Sequence, residues 1–272
     1  MTRRINDINF RPLIFQPHEL ACSTEDPESL VLLGETNGHT YFSVDLASHA
    51  SRLEPGLAAR GQLLDLQTVG AALDRETAAL LAYARGITYW HRRHRYCGDC
   101  GQPSRSAQAG HMRVCTDVNC GAKEFPRTDA AVIVLVHHED RCLLARQHGW
   151  PDRLFSVVAG FVEPGESIEY TVKREVAEET GVTVTDVHYQ SSQPWPFPSS
   201  LMLGFKARAI TTKLELGDDE LAEADWYSRD DIVQSIRNAQ LELPTSISIS
   251  YRLIEDWFDA RSSVPLKTVV SE

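Results

Sequence analysis

The sequence predicts a protein of mixed class, α/β or α+β, on three observations. A continuous apolar run at residues 130–136 suits a central strand buried on both faces. An acidic, amphipathic helix is written between Ser167 and Gly181, just after a strand-like stretch. Ahead of both stand four cysteines in two close pairs, the arithmetic of a small metal-held module. At 272 residues the chain has length for two modest domains. The expected layout is a β-rich N-terminal domain ending in a helix at 1–95, a ribbon at 96–124, the main domain at 125–260 and a tail at 261–272.

Up to about Leu66 the chain reads as short strands and turns: 29–33, then Asn37-Gly38 as a hairpin signal, then 40–44. Asp74-Arg75-Glu76 opens a helix to about His94, with Ala79, Leu80, Tyr83, Ile87 and Trp90 at helical intervals. The basic run 91–95 fits the last turn of that helix, where the dipole favours cations; a contact to phosphate or metal is the alternative. Cys97 and Cys100, then Cys115 and Cys120 after fourteen residues, suit a tetrahedral zinc ribbon. Disulfides are the competing reading, disfavoured because nothing marks the chain as secreted and intracellular thiols stay reduced. Four thiolates close the coordination sphere, so the zinc is expected to be structural. Cys22 and Cys142 stand alone, and Cys142, in an apolar run, reads as a small buried hydrophobe.

Phe125-Pro126-Arg127-Thr128-Asp129 leads into the central strand, and 141–146 and 154–159 read as the next two. Pro164-Gly165 turns the chain and sets Glu166 near the helix start. Ser167 is the expected N-cap, Glu169 lies in the first turn, and Gly181 supplies the left-handed end. Ile168, Val172 and Val176 form the apolar stripe. Glu175, Glu178 and Glu179 stand at i, i+3 and i+4 and share a face. Like charges so placed repel unless a cation neutralises them, and hard oxygen donors suit Mg²⁺ or Mn²⁺, which in turn bind phosphates. Arg174 and Glu178 are spaced to pair. A plain solvated acidic helix is the competing reading.

Ten residues on, Ser192-Gln193-Pro194-Trp195-Pro196-Phe197-Pro198-Ser199-Ser200 carries prolines at alternate positions, which exclude a helix and remove three backbone donors. The segment is a stiff loop or edge bearing Trp195 and Phe197. It serves either as a platform for a flat base or as a plug for a sheet edge. Residues 201–210 read as another strand, Asp218-Asp219-Glu220 as an acidic turn, and 246–258 as a C-terminal helix. Net charge is −11 with no long basic block, which excludes a general duplex-binding protein. Residues 1–7 lack an apolar signal core and no run approaches the roughly 20 apolar residues of a membrane span, so a cytoplasmic setting is expected.

The order Gly160, five residues, Glu166, seven residues, Arg174-Glu175, an aliphatic, any residue, Glu178-Glu179, any residue, Gly181, an aliphatic resembles the Nudix box at every position. That resemblance implies an α/β/α sandwich with a mixed sheet that hydrolyses nucleoside diphosphates linked to another moiety. It implies Glu175 and Glu179 as principal metal ligands, with the Ala159 carbonyl as another. Glu178 is then a further ligand or the proton acceptor, Arg174 orients the carboxylates, and Glu166 belongs to the catalytic set. The general base varies within this superfamily.

The proline-aromatic segment, together with the ribbon ahead of it, resembles the NADH pyrophosphatase family over residues 95–260, although the second cysteine pair has four intervening residues where two are usual. The resemblance implies hydrolysis of NAD(H) to AMP and the mononucleotide, and removal of NAD caps from RNA 5′ ends. Gln193, Pro194, Trp195, Pro196, Phe197, Pro198, Ser199 and Ser200 would line the dinucleotide site. Phe125 would stack on substrate or pack the ribbon on the core, and Ser250 would touch substrate. Glu220 would complete the metal site, the alternative being a solvated turn. A homodimer is expected on the same ground. Rival readings are another substrate, such as ADP-ribose or a dinucleoside polyphosphate, and a non-enzymatic zinc-ribbon regulator, against which no box glutamate is missing.

Overall fold

A computed structural model describes residues 10–16, 30–45, 60–217 and 220–271. Cys22, Ser29, residues 1–7, Asp218 and Asp219 fall outside the described residues. The chain divides into two compact units, one running to Thr128 and including Trp195–Ser199, the other formed by Asp129–Pro194 and the residues from Ser200 onward.

In the first unit, β1 (Leu30–Thr36) and β2 (His39–Val44) pair antiparallel across Asn37-Gly38, both of positive φ. After the short α1 (Leu66–Val69) comes α2 (Arg75–Arg93), capped by Asp74, whose carboxylate accepts the Thr77 N–H at 2.9 Å. Of the expected apolar stripe only Ile87 and Trp90 are buried, against Val31; Ala79 and Tyr83 are exposed. A two-stranded hairpin covers only the C-terminal turns of a helix this long. Two of the basic residues in its last turn are engaged by the protein. Arg113 donates to His91 Nδ1 at 3.0 Å, His91 Nε2 lies 2.8 Å from the Gly110 carbonyl, and Arg92 pairs with Asp45 at 2.8 Å. The ribbon is a three-stranded antiparallel sheet of β3 (Ser104–Ala107), β4 (Met112–Cys115) and β5 (Lys123–Glu124).

The second unit is built on β6 (Asp129–His138), the expected central strand. Its neighbours are β7 (Arg141–Gln147), β8 (Val158–Phe161), β9 (Val184–Trp195), β10 (Ser200–Ala209) and β11 (Leu221–Ser228). The order is β11-β7-β6-β10-β9, with β8 antiparallel to β6, β10 parallel to it, and β11 antiparallel to β7. Alternation along β6 explains its unbroken apolarity. Val132, Val134 and Val136 face one cluster with Val172 and Val176 of α3 (Ile168–Thr180). Ile133 and Leu135 face another, with Ile232 of α4 (Arg229–Arg237), Leu253 and Ile254 of α5 (Ile249–Asp259), and Leu266 and Val269 of α6 (Leu266–Ser271). Helices thus cover both faces of a mixed sheet.

Three local expectations are corrected. The strand expected at 154–159 starts only at Val158, because before it Ser156 exchanges both backbone bonds with Ala145 at 2.8 Å in a single bridge and Leu154 bridges to Glu242. The C-terminal helix starts at Ile249, since Ser248 takes the cap and accepts from the Ser250 N–H. The stretch expected as a tail contains α6, whose Leu266 and Val269 bury themselves in the core.

Candidate active site

The acidic centre is set by how α3 begins and ends. Ser167 accepts from Tyr170 N–H at the start, and Gly181, with φ 72°, closes the helix on the Ala177 carbonyl. Val172 and Val176, on the same side of the helix as Glu175 and Glu179, press that side into the core, so the helix cannot roll. Glu175 and Glu179 are then buried, while Glu178 keeps 59% of its side chain exposed. Glu175 lies directly over Gly160, where a Cβ would occupy the place of its carboxylate, and this close approach requires the first glycine of the pattern.

Arg174 organises the carboxylates. Its Nε and Nη2 donate to the two oxygens of Glu166 at 2.6 and 2.9 Å, a bidentate pair. Nη1 lies 2.9 Å from Glu175 Oε1 and donates to Glu178 Oε2 at 2.8 Å, and Nη2 also reaches the Phe161 carbonyl at 2.9 Å. The Arg174 bonds hold the Glu166 carboxyl down at about 2, while Thr171 and the Glu163 N–H add hydrogen bonds to it. Glu179 receives none of this. Burial, then the charges of Glu175, Glu220 and Glu178, push its carboxyl up to about 8, and its Oε1 is buried with no hydrogen-bond partner among the described residues. Burial also raises Glu175, against the pull of Arg174.

A second close approach brings in Glu220. Residues 213–217 cap the end of α3, the Glu215 N–H on the Thr180 carbonyl at 2.9 Å and the Gly217 N–H on that of Glu179 at 3.3 Å. A Cβ on Gly217 would collide with the Glu178 carbonyl. Glu220 accepts the His148 N–H on its backbone oxygen at 3.1 Å. Its charge is felt by both Glu175 and Glu179. An orphaned buried carboxylate oxygen beside two more carboxylates fits a hard divalent cation, whose charge would remove the repulsion. Ala159 lies in β8, paired with Ile133 of β6, immediately before Gly160.

The proline-aromatic segment is divided. Gln193, Pro194 and Trp195 are the last residues of the edge strand β9, where missing donors do no harm, and Ser200 begins β10. The Gln193 side chain donates to the Ile247 carbonyl at 2.6 Å and accepts the Ile249 N–H at 2.8 Å, so its amide clamps the start of α5. Ser250 is buried there, its hydroxyl 3.3 Å from that of Ser248. Trp195 and Phe197 are half-buried and packed edge to face, centroids 5.1 Å apart; Pro196 is buried, Pro198 exposed and Ser199 half-buried. In the first unit Phe125 is exposed.

The four Sγ atoms of Cys97, Cys100, Cys115 and Cys120 lie within 4.8 Å of one another as free thiols. The backbone N–H groups of Cys100 and Asp99 pull the Cys97 thiol below its ordinary value, as a turn made for a thiolate does. Four soft donors at this spacing fit zinc. Sequence reasoning missed Glu124, whose Oε1 accepts the Gly98 N–H at 3.1 Å and braces that turn. It also missed Thr171 and Gly217, which no spacing pattern marks.

Three family models match the chain: a NADH pyrophosphatase-like rudimentary NUDIX domain at 11–90, a NADH pyrophosphatase zinc ribbon domain at 92–125 and a NUDIX domain at 126–246. The chain is similar to the NAD-capped RNA hydrolase NudC of Mycobacterium bovis, 40% identical over 93% of this chain and 82% of that protein. It is 37% identical to the human NAD-capped RNA hydrolase NUDT12 over 68% of this chain and 42% of that one. A solved NUDIX hydrolase from Nitrosomonas europaea aligns at 17% identity with a TM-score of 0.47, over 61% of this chain and 92% of its own.

Proposed function

The chain belongs to the NADH pyrophosphatase family of Nudix hydrolases, and on that premise we propose that it cleaves the diphosphate of NAD(H), giving NMN(H) and AMP, and removes NAD caps from RNA 5′ ends. The observation that carries the reaction is Glu179, buried with an oxygen that no donor among the described residues reaches, and under the charges of Glu175 and Glu220. That the relatives named above act on NAD-capped RNA supports the choice of substrate.

Glu175, Glu179, Glu220 and the Ala159 carbonyl are assigned as ligands of Mg²⁺ or Mn²⁺. When bound, the cation neutralises diphosphate charge and lowers the pKa of a water nucleophile. The chain's own residues do the rest. Arg174 holds Glu175 and Glu178 in register and is itself held by Glu166. The attacking water forms the new P–O bond, the bond to the bridging oxygen breaks, and a carboxylate of the centre takes the water's proton. Trp195 and Phe197 offer a stacking surface to a base, with Pro194, Pro196, Pro198, Ser199 and Ser200 shaping the turn around them. Phe125 and Ser250 are assigned as further substrate contacts, and Gln193 acts through its clamp on α5.

The four cysteines are assigned one structural zinc, which needs reduced thiols and so supports a cytoplasmic setting. None of the described helices is long and apolar enough to cross a membrane. A homodimer, and the division at 1–95, 96–124 and 125–260, belong to the same proposal, with 261–272 now read as the close of the last domain because α6 packs into its core. The test is turnover of NADH, NAD⁺, ADP-ribose and an NAD-capped RNA oligonucleotide, side by side, with Mg²⁺ or Mn²⁺. AMP and NMN(H) are the expected products; a clear preference for ADP-ribose would move the substrate and keep the chemistry.

A further inference from the structure

We propose that Arg85 of α2 is a positioning residue for dinucleotide binding, holding the Trp195–Phe197 pair in the attitude on which a base stacks. The inference rests on the reading that this pair receives a base of NAD(H). Trp195–Ser199, although they form the last residue of β9 and the turn into β10, belong to the same compact unit as α2. There the Arg85 Nε donates to the Pro196 carbonyl at 2.9 Å, and its guanidinium lies over the Phe197 ring, 4.8 Å from the centroid. Phe197 in turn meets Trp195 at 5.1 Å with their planes 71° apart. One side chain therefore grips the peptide between the two aromatics and the face of one of them.

The loop needs such a grip. Prolines at 194, 196 and 198 have no N–H to give, and the Phe197 N–H is spent on the Trp195 carbonyl at 2.8 Å. A carbonyl that accepts from an arginine, backed by a cation–π contact, supplies the hold that a backbone ladder gives elsewhere. Arg85 has no carboxylate partner among the described residues, so its charge is directed to the ring and the carbonyl. A platform fixed in advance loses less freedom when a base settles on it, and that saving appears in binding and not in the chemical step.

The experiment is steady-state hydrolysis of NADH by the full-length protein and by Arg85→Ala, Arg85→Lys, Phe197→Ala and the Arg85→Ala/Phe197→Ala double variant, with melting temperature and zinc content recorded for each. Losing one hydrogen bond and one cation–π contact should raise KM about tenfold in Arg85→Ala, with kcat within about twofold of wild type. Because Arg85 acts through Phe197, the double variant should be no worse than Phe197→Ala alone. Arg85→Lys, which keeps charge and loses the planar fork, should fall between, and it carries the test if the alanine variant does not fold. An unchanged KM in Arg85→Ala and Arg85→Lys, or losses that add fully in the double variant, overturns the proposal. So does a joint fall of kcat, zinc and melting temperature, which is a folding role. No NADH turnover by wild type, or an unchanged KM in Phe197→Ala, instead overturns the substrate reading beneath it.

Discussion

The acidic centre and the four-cysteine ribbon each bring together groups that a divalent cation would satisfy, on opposite foundations. The centre sits on a 13-residue helix locked into a core by Val172 and Val176. Glu166, Glu175 and Glu178 are held in place by Arg174, a partner the protein itself supplies. The ribbon has strands of four, four and two residues, and little apolar material is buried in it beyond Met112 and two of the cysteines themselves. Modules of that size lack a sufficient core of their own, and metal takes its place. One site is a folded surface that tolerates repulsion; the other has four thiols where a core would be.

The comparison breaks most visibly at Glu179. Glu179→Gln removes the charge of a proposed ligand and keeps shape, so kcat should fall by about three orders of magnitude, corresponding to several kcal/mol of charge stabilisation, with the far-UV circular dichroism unchanged. Turnover within tenfold of wild type would remove Glu179 from the chemistry. The ribbon should respond in the reverse sense. Metal analysis should find about one tightly held zinc per chain. In Cys115→Ser the zinc should be lost and limited proteolysis should cut within 96–124, while the unit that begins at Asp129 stays resistant. A zinc-free Cys115→Ser protein as resistant in the ribbon as wild type would show that zinc is not its core.

The contrast also separates what was legible in the sequence from what was not. The box helix could be read residue by residue, because N-cap, charge spacing and C-terminal glycine act within one or two helical turns. The cysteine pairs are equally local. The single bridge at Ser156 escaped notice because its partner Ala145 is a tertiary neighbour, and a buried apolar run looks alike in a strand and in a bridge. Gly217 meets α3 only because residues 213–217 fold back on its end, an approach no periodicity encodes, whereas Glu220 was legible through the family resemblance alone. Arg85 stands 111 residues from the carbonyl it holds. The expected tail hid α6 because a six-residue segment with two apolar anchors carries too little pattern to announce a helix.

The smallest effect sharpens the comparison through pH. In the folded, cation-free protein Glu179 is pushed up to about 8 from an ordinary value of 4.5, mainly by burial. Between those values the folded state binds a proton that the unfolded state does not, so this contribution to stability is present below about 4.5 and is lost as pH rises through about 8. Melting temperature of protein dialysed free of Mg²⁺ and Mn²⁺, zinc retained, should therefore fall between pH 5 and pH 9 more in wild type than in Glu179→Gln. Added Mg²⁺ should restore wild type by an amount that grows with pH, because it replaces the proton. The ribbon runs the other way: thiolates must be deprotonated to hold zinc, so acid loosens it and base does not. A wild-type profile parallel to that of Glu179→Gln from pH 5 to 9 would mean that Glu179 is already compensated within the protein, and the orphaned oxygen would lose its meaning as a place for a cation.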